Sequence, residues 1–348
     1  MKRSAFIFIL LAASIGCEPE TTSEIIPTHG IFILNNGNWG DNDSSIGIYD
    51  VNDKTYVPDA FFAANGVKLG DLGQDMVIVD DRIYIAVYGS QTVFVTDISL
   101  DVITQINAFK DGHRLSPRHF DVSDGKIFIT YYEGYAGEIS KADHSVRLTE
   151  TGLNPEGLAV GGKYLYVANS GGMAYPDYDH TLSVIALDSF EEEYIIEVNA
   201  NPVEVITNSD GSAAYIFSYG DYTSYPSLVQ VLDTETRQVS DLAYSDVSDI
   251  AKGKDDRLYI LCAGYDQQWN PLPGKVFVHD MKRNACLGEF ITDGTELPDA
   301  YSISCASDGY IYIGCSDYKN NGDMYVFDSC GRLHSIFDTQ GLNPVLAY

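Results

Sequence analysis

Short apolar runs separated by polar turns dominate the sequence, and residues 153–187 show the pattern most clearly. Within this stretch, residues 156–160, 164–169 and 181–187 are rich in β-branched and aromatic residues, and turns of Gly, Asn and Asp separate them. The pattern predicts three short β-strands, and residues 192–198 predict a fourth. One four-stranded sheet of this size cannot bury both of its faces, so further copies of the unit are expected along the chain.

The second strand of this unit has a signature, an aromatic residue within a β-branched run, that occurs seven times. The central residues are Phe32, Tyr84, Phe128, Tyr166, Tyr215, Tyr259 and Tyr312. Neighbouring copies lie 38 to 53 residues apart, which is the spacing of four-stranded propeller blades. The sequence therefore predicts an all-β fold, a seven-bladed β-propeller with four antiparallel strands per blade.

The two ends of the chain predict how the ring of blades closes. Residues 342–344 (LNP) repeat residues 153–155, which lead into a first strand, whereas the N-terminal blade begins at its second strand, residues 29–35. We therefore expect the last strand, residues 343–348, to complete the first blade. Closure of this kind removes the open sheet edges that invite aggregation.

The first 16 residues predict a secretory signal peptide that is not part of the fold. Lys2 and Arg3 provide a basic start, and the apolar run of residues 5–15 is too short to span a bilayer as a mature helix.

The residues before Cys17 resemble a bacterial lipobox, so Cys17 is the expected site of lipidation. The alternative is an ordinary signal peptide with an incidental cysteine. Residues 17–28 are then a polar, lipidated tether, and residues 29–348 are the predicted propeller, with no length left for a second domain.

Acidic residues outnumber basic ones, at 50 against 21, and the formal net charge is −29. A charge of this size repels nucleic acids and anionic membrane surfaces. We therefore expect no nucleic-acid partner, and membrane attachment through the lipid anchor only.

Five cysteines follow Cys17, and an odd number cannot all pair. They are Cys262, Cys286, Cys305, Cys315 and Cys330. We expect them to be mainly small buried residues, and a disulfide between Cys286 and Cys330 on the rim stays open as an alternative. Their spacing does not indicate a metal site.

The predicted loops between second and third strands are rich in Tyr and Trp, interleaved with Asn, Gln and Asp. In a propeller these loops share one face around the central channel. Aromatic side chains with nearby amides suit a large, amphipathic ligand or a protein partner, although single Tyr residues can instead cover the blade ends. Tyr132 belongs to these loops. The candidate ligand-binding residues are Trp39, Tyr88, Arg118, Tyr131, Tyr135, Tyr175, Tyr178, Tyr219, Tyr222, Tyr225, Tyr265, Trp269 and Tyr318.

Motifs of known catalytic and phosphate-binding sites are absent from the sequence, which has no GxSxG, HExxH or P-loop. His119 and His180, the histidines expected near the aromatic loops, are interpreted as hydrogen-bonding residues. Residues 41–43 (DND) resemble the start of a calcium loop but lack its later Gly and Glu. We therefore expect a protein that is not an enzyme and has no metal or cofactor.

Several short motifs, in blade order, resemble those of one family. They are residues 34–38 (LNNGN, with Asn36 in place of Glu), 65–71 with Met76, 117–118 (PR), 154–157 (NPEG), 166–172, 178–179 and 183–185. In these motifs the chain resembles the YncE-like seven-bladed propeller lipoproteins of Bacteroidota, often described as surface layer proteins.

The best understood members of that family are the BtuG-type lipoproteins, which bind cobalamin at the cell surface and pass it to a TonB-dependent outer-membrane transporter. The resemblance implies the same role here, with cobalamin as a ligand and not a cofactor. Glu18 and Glu20 also resemble the acidic signal that directs such lipoproteins to the outer face of the outer membrane. The alternative is a glycan-binding or protein-docking propeller of a nutrient-uptake system, and a third hypothesis is an enzyme that uses His119 or His180.

Overall fold

The computed structural model of the chain describes residues 30–264 and 271–348. The predicted signal peptide, Cys17 and the tether lie outside the described residues. So do Tyr265 and Trp269, two of the candidate ligand-binding residues.

The described residues form seven four-stranded antiparallel sheets and one small two-stranded hairpin. The strands of the first half are β1 (Ile31–Asn35), β2 (Ser45–Asp50), β3 (Thr55–Val57), β4 (Gly73–Val79), β5 (Arg82–Val87), β6 (Thr92–Asp97), β7 (Val102–Ile106), β8 (Phe109–Lys110), β9 (His113–Arg114), β10 (Pro117–Ser123), β11 (Lys126–Tyr131), β12 (Tyr135–Ile139) and β13 (Val146–Glu150).

The strands of the second half are β14 (Pro155–Gly161), β15 (Tyr164–Asn169), β16 (Thr181–Ala186), β17 (Glu191–Glu197), β18 (Pro202–Thr207), β19 (Ala213–Ser218), β20 (Leu228–Asp233), β21 (Val239–Asp241), β22 (Val247–Lys252), β23 (Arg257–Cys262), β24 (Lys275–Asp280), β25 (Ala285–Glu289), β26 (Ala300–Cys305), β27 (Ile311–Cys315), β28 (Asp323–Phe327), β29 (Leu333–Asp338) and β30 (Pro344–Ala347).

Blades 2 to 7 each use four consecutive strands: β4–β7, β10–β13, β14–β17, β18–β21, β22–β25 and β26–β29. Blade 1 has the order β3-β2-β1-β30, so its first strand comes from the C-terminus. Strand β30 pairs antiparallel with β1, and Ile33 lies opposite Ala347. The seven-bladed fold and the predicted ring closure are therefore confirmed.

Seven clusters of buried apolar side chains form the core of the described residues, and each lies between two neighbouring blades. The signature aromatic residue of each second strand lies in a different one of these clusters and is at most 8% exposed. The repeated aromatic residue therefore fills the interface between its blade and the next. This explains why the pattern repeats once per blade.

Every first strand carries one extra residue near its start, where the register with the second strand shifts. A bulge of this kind breaks the strict alternation of side chains between the two sides of a strand. Consequently, two consecutive residues of a first strand, the second and the third, can both face the central channel. Arg118 and His119 of β10 do so.

The helical content is small. Helix α1 (Ala60–Asn65) follows β3, and Asp59 caps it by accepting a hydrogen bond from the Phe62 N–H at 3.4 Å. A 3₁₀ turn covers Lys254–Asp256. Among the residues described, no helix has the length and apolar character needed to cross a membrane.

The five cysteines of the propeller are free thiols. Cys315 is buried, whereas Cys286 and Cys330 are exposed. The structure therefore contains no disulfide between Cys286 and Cys330, and the expectation of burial fails for these two residues because both lie at the outer rim, on β25 and in the turn before β29.

Candidate ligand-binding face and channel

The loops between second and third strands lie beside the connections that enter the first strands. In each blade, the N–H that follows the second strand donates to the carbonyl oxygen of the residue before the first strand. The seven pairs, 2.8 to 3.2 Å apart, are Asn36–Asn343, Tyr88–Leu72, Tyr132–Ser116, Ser170–Asn154, Tyr219–Asn201, Ala263–Asp246 and Ser316–Asp299. We call this side of the ring the loop face.

All exposed Tyr and Trp side chains of the described residues lie on the loop face. They are Trp39, Tyr175, Tyr219, Tyr222, Tyr225 and Tyr318, and their exposed fractions run from 39% to 72%. Single exposed apolar side chains are common on protein surfaces, whereas a group of them on one surface marks an interaction site. The aromatic character predicted for these loops is thus concentrated on one surface.

An arginine lies between two aromatic rings at one edge of this surface. The guanidinium carbon of Arg118 is 4.9 Å from the ring centre of Tyr88 and 5.1 Å from that of Tyr132. The two tyrosine rings meet edge to face at 5.4 Å, and the Trp39 ring lies 5.7 Å from Tyr88. Such cation–π contacts hold the rings in fixed positions, so blades 1 to 3 present a connected aromatic surface.

Arg118 also forms an ion pair with Glu156 of the next blade. Its Nε donates to Glu156 Oε2 at 2.5 Å, and the two side chains are 17% and 9% exposed. Burial and the charge of Arg118 lower the pKa of His119 to about 3, so this imidazole is neutral although its Nε2 lies 3.8 Å from the same carboxylate oxygen. Arg118 is therefore the cation that offsets Glu156.

A second group of aromatic residues comes from blades 5 and 7. The ring of Tyr301, at the second position of β26, meets Tyr318 edge to face at 5.4 Å. Tyr219 meets Phe217 edge to face at 4.8 Å. On blade 4, the rings of Tyr175 and Tyr178 lie 6.0 Å apart.

The loop face opens into a central channel with a volume of about 720 Å³. The first strands of all seven blades line it, and Tyr219 and Tyr301 contribute at its mouth. Its wall carries five carboxyl groups, from Asp75, Asp121, Glu156, Glu204 and Asp249.

Three of these carboxyl groups connect neighbouring blades. In each case the Oδ2 atom of an aspartate accepts a hydrogen bond from a backbone N–H on the first strand of the next blade. The pairs are Asp75 with Phe120 at 2.7 Å, Asp121 with Val160 at 2.6 Å and Asp249 with Ile303 at 2.8 Å.

Burial raises the pKa of both Asp75 and Asp249 to about 7, although their hydrogen bonds to backbone N–H groups act in the opposite direction. Burial also raises the pKa of Glu204 well above its usual range, and the charges of Asp249, Asp75 and Asp121 add to the effect. The channel therefore holds carboxyl groups that take up protons near neutral pH.

Two candidate residues do not lie on the exposed aromatic surface. Tyr131 is the last residue of β11, is 1% exposed and packs in the core between blades 2 and 3. Its placement in a loop was wrong. Tyr135, at the start of β12, the third strand of blade 3, packs on the same core, with the Lys110 amine 5.4 Å from its ring centre.

The sequence interpretation missed Tyr301, Glu204, Asp75 and Asp249 as members of the site, and it left Tyr132 out of the candidates. A usable signal was present, because the four missed residues occupy the second or third position of a first strand. Aligning the seven first strands at their starts would have placed these side chains around one channel.

Among the described residues, no group of three or more His, Cys, Asp or Glu side chains is arranged to hold a metal ion. The acidic loop of residues 41–43 is used internally, since Asp43 Oδ1 accepts a hydrogen bond from the Asn38 N–H at 2.9 Å. His180 lies exposed on the loop face, and its N–H donates to its neighbour Asp179 at 2.7 Å.

No protein-family model matches the chain, and no curated protein matches it at a significant level. Solved structures do match. The hydrazine synthase of Kuenenia stuttgartiensis superimposes with a TM-score of 0.59 at 17% identity, over 74% of this chain and 76% of that one. The WD40 β-propeller domain of Doa1 gives a TM-score of 0.56 at 11% identity, over 84% and 88%. At these identities the likeness shows the β-propeller fold alone.

Proposed function

We propose that this protein is a non-enzymatic, surface-exposed lipoprotein of the outer membrane that captures cobalamin or another corrinoid on its loop face. The bound corrinoid is then passed to a TonB-dependent transporter. The observation that carries the binding role is the confinement of all exposed Tyr and Trp side chains of the described residues to this one face.

The chemistry of the face suits a corrinoid. The macrocycle is broad and apolar, and amide groups surround it, so it requires wide apolar contacts with hydrogen-bonding groups beside them. Tyr and Trp supply both in one side chain, with little loss of conformational entropy. Trp39 of blade 1 and Tyr222 of blade 5 are 69% and 72% exposed, so apolar contact area is available on separate blades around the channel mouth.

The lipid anchor, the outer-membrane location and the transporter rest on the sequence, namely on Cys17, the acidic residues after it and the family resemblance. The strong negative charge of the chain agrees with a ligand that is not a polyanion.

The test is isothermal titration of a soluble form that begins after Cys17 with cyanocobalamin. We expect saturable heat and a change in the corrinoid absorbance spectrum. Replacing Trp39, Tyr222 and Tyr318 together by Ala should weaken binding about 100-fold or more, since each buried aromatic contact contributes about 1 kcal/mol or more.

The matched control replaces Phe62 and Ile195, which are exposed away from the loop face, by Ala and should bind like the parent. Absence of heat and of a spectral change with cyanocobalamin would refute the corrinoid proposal. Binding of oligosaccharides instead, with loss in the triple variant, would establish the glycan alternative on the same face.

A further inference from the structure

The third residues of the seven first strands surround the channel at one level. In blade order from blade 1 they are Leu346, Asp75, His119, Gly157, Glu204, Asp249 and Ser302. Three of these positions carry carboxyl groups, on blades 2, 5 and 6. The side chains of Asp75, Glu204 and Asp249 all line the same channel.

Glu204 is the central acceptor of this group. Its Oε1 accepts the Val205 N–H at 2.9 Å, and among the described residues no donor reaches its other oxygen. The equivalent position on the neighbouring blade 4 is Gly157, where an added Cβ would lie 2.5 Å from Glu204 Oε1. The glycine thus provides the room that this carboxyl group occupies.

The two positively charged side chains that line the channel, Arg118 and Lys252, are paired with groups other than these three carboxyl groups. Arg118 pairs with Glu156. Lys252 donates to the Thr207 carbonyl oxygen at 2.7 Å and lies 3.6 Å from Asp256. Asp75 and Asp249 accept backbone N–H groups on both oxygens, and the imidazole nearest to Asp75, His119 at 3.9 Å, is neutral. Asp75, Glu204 and Asp249 therefore have no charged protein cation in contact with them, so their ionised forms are unfavourable in the enclosed channel unless a ligand cation offsets the charge.

The three acceptors lie on different blades, which favours a cation with several separate donor atoms. In the part of the chain that the structure describes, no group of three or more His, Cys, Asp or Glu side chains is placed to hold a metal ion. A guanidinium group presents five N–H donors in one plane. Its flat face also stacks on aromatic rings, which Tyr219 and Tyr301 offer at the channel mouth.

We propose that the channel below the loop face is a binding site for the guanidinium group of a small organic molecule, with Glu204, Asp75 and Asp249 as its acceptors. This site is separate from the corrinoid proposal, since it uses the channel wall and not the exposed aromatic surface.

The binding experiment uses the protein beginning after Cys17 at low salt and titrates it with methylguanidinium. Methylurea is the matched neutral probe, because it has a similar planar shape without the charge. We expect methylguanidinium to bind at least tenfold more tightly than methylurea. Equal affinity of the two probes would overturn the proposal.

The variant Glu204→Gln keeps the shape of the side chain and removes its ability to ionise. It should weaken methylguanidinium binding about tenfold, whereas the control Glu197→Gln, at an exposed position of β17, should not change it. Unchanged binding in Glu204→Gln would overturn the assignment of Glu204. Both variants should still bind cyanocobalamin if the corrinoid proposal holds, so failure of one proposal is distinguishable from failure of the other.

The pH dependence tests the site without any substitution. Besides the carboxyl groups, the titratable and charged groups that face the channel are Arg118, His119, Lys252, Tyr219, Tyr301, Cys305 and Tyr348. Methylguanidinium keeps its charge throughout, and Asp75 and Asp249 ionise around pH 7. Affinity should therefore rise about tenfold or more from pH 6 to pH 8, and a flat profile would contradict the site.

A blocked arginine amide identifies the source of the guanidinium group. Binding no tighter than that of methylguanidinium supports a small molecule, as proposed. Binding at least tenfold tighter would overturn that part of the proposal in favour of an arginine side chain from a peptide.

Discussion

Removal of the last six residues, 343–348, tests the closure of the ring. This deletion leaves blade 1 with three strands and exposes the edge of β1. It breaks the reciprocal backbone hydrogen bonds between Phe32 and Tyr348, at 3.1 and 3.0 Å. It also removes the acceptor of Ser302 Oγ, which is the Pro344 carbonyl oxygen at 2.6 Å, and the donor to Ser304 Oγ, which is the Ala347 N–H at 2.9 Å.

The magnitude follows from these contacts. Four hydrogen bonds contribute about 0.5–1.5 kcal/mol each, or about 2–6 kcal/mol in all. Val345 and Leu346 are partly buried against the core between blades 1 and 2, and together they contribute about 1.5–3 kcal/mol at half the value of fully buried side chains. The sum, about 3.5–9 kcal/mol, is comparable with the total stability of a typical domain, about 5–15 kcal/mol.

The assay is thermal unfolding followed by circular dichroism, with light scattering to detect association through the open edge. The control moves the same strand to the other end of the chain: residues 343–348, a short glycine linker, then residues 30–342. The truncated protein should melt far below the parent or aggregate, and the transposed protein should melt near it. A truncated protein that melts like the parent would refute the closure argument.

Two further predictions concern single groups. Because the folded-state pKa values of Asp75 and Asp249 lie near 7, above the usual unfolded value of about 4, the folded state binds more protons between these values. The contribution of these groups to stability is therefore present at low pH and lost as pH rises through 7. The melting temperature should fall from pH 5 to pH 8, and Asp249→Asn should reduce that fall; an equal fall in the variant would contradict the assignment. The hydroxyl of Tyr131 is buried without a hydrogen-bond partner among the described residues, so Tyr131→Phe should leave stability unchanged or raise it by about 1 kcal/mol in denaturant unfolding, with corrinoid binding unaltered; a loss of binding would return Tyr131 to the site.

The blade architecture was predictable because packing imposes the same requirement once per repeat. Each signature aromatic residue fills the interface to the next blade, so a large ring recurs in a β-branched run at Tyr84, Tyr166 and the five equivalent positions. The closure was predictable for a similar reason, since the segment before β30 repeats the one before β14. Both features are local and periodic.

The division between core and loop face was harder to predict at the ends of strands. Tyr131 and Tyr132 are adjacent in sequence, yet the first packs in the core and the second contacts Arg118 on the loop face. Side chains of neighbouring strand residues point to opposite sides, so an error of one residue in the end of β11 exchanges the two roles. The sequence does not mark that end, because both residues are tyrosines.

The channel wall escaped prediction because it breaks the alternation on which strand prediction relies. The extra residue in each first strand turns two consecutive side chains toward the channel. In the sequence, a polar pair such as Arg118 and His119 therefore looks like part of a turn and not like part of a strand that lines a channel. These positions are also free of the packing requirement that makes the second strands alike. The third position accordingly differs between blades, from Leu346 to Glu204, and places carboxyl groups on blades 2, 5 and 6 only. A nearly symmetric ring thereby acquires an asymmetric channel wall.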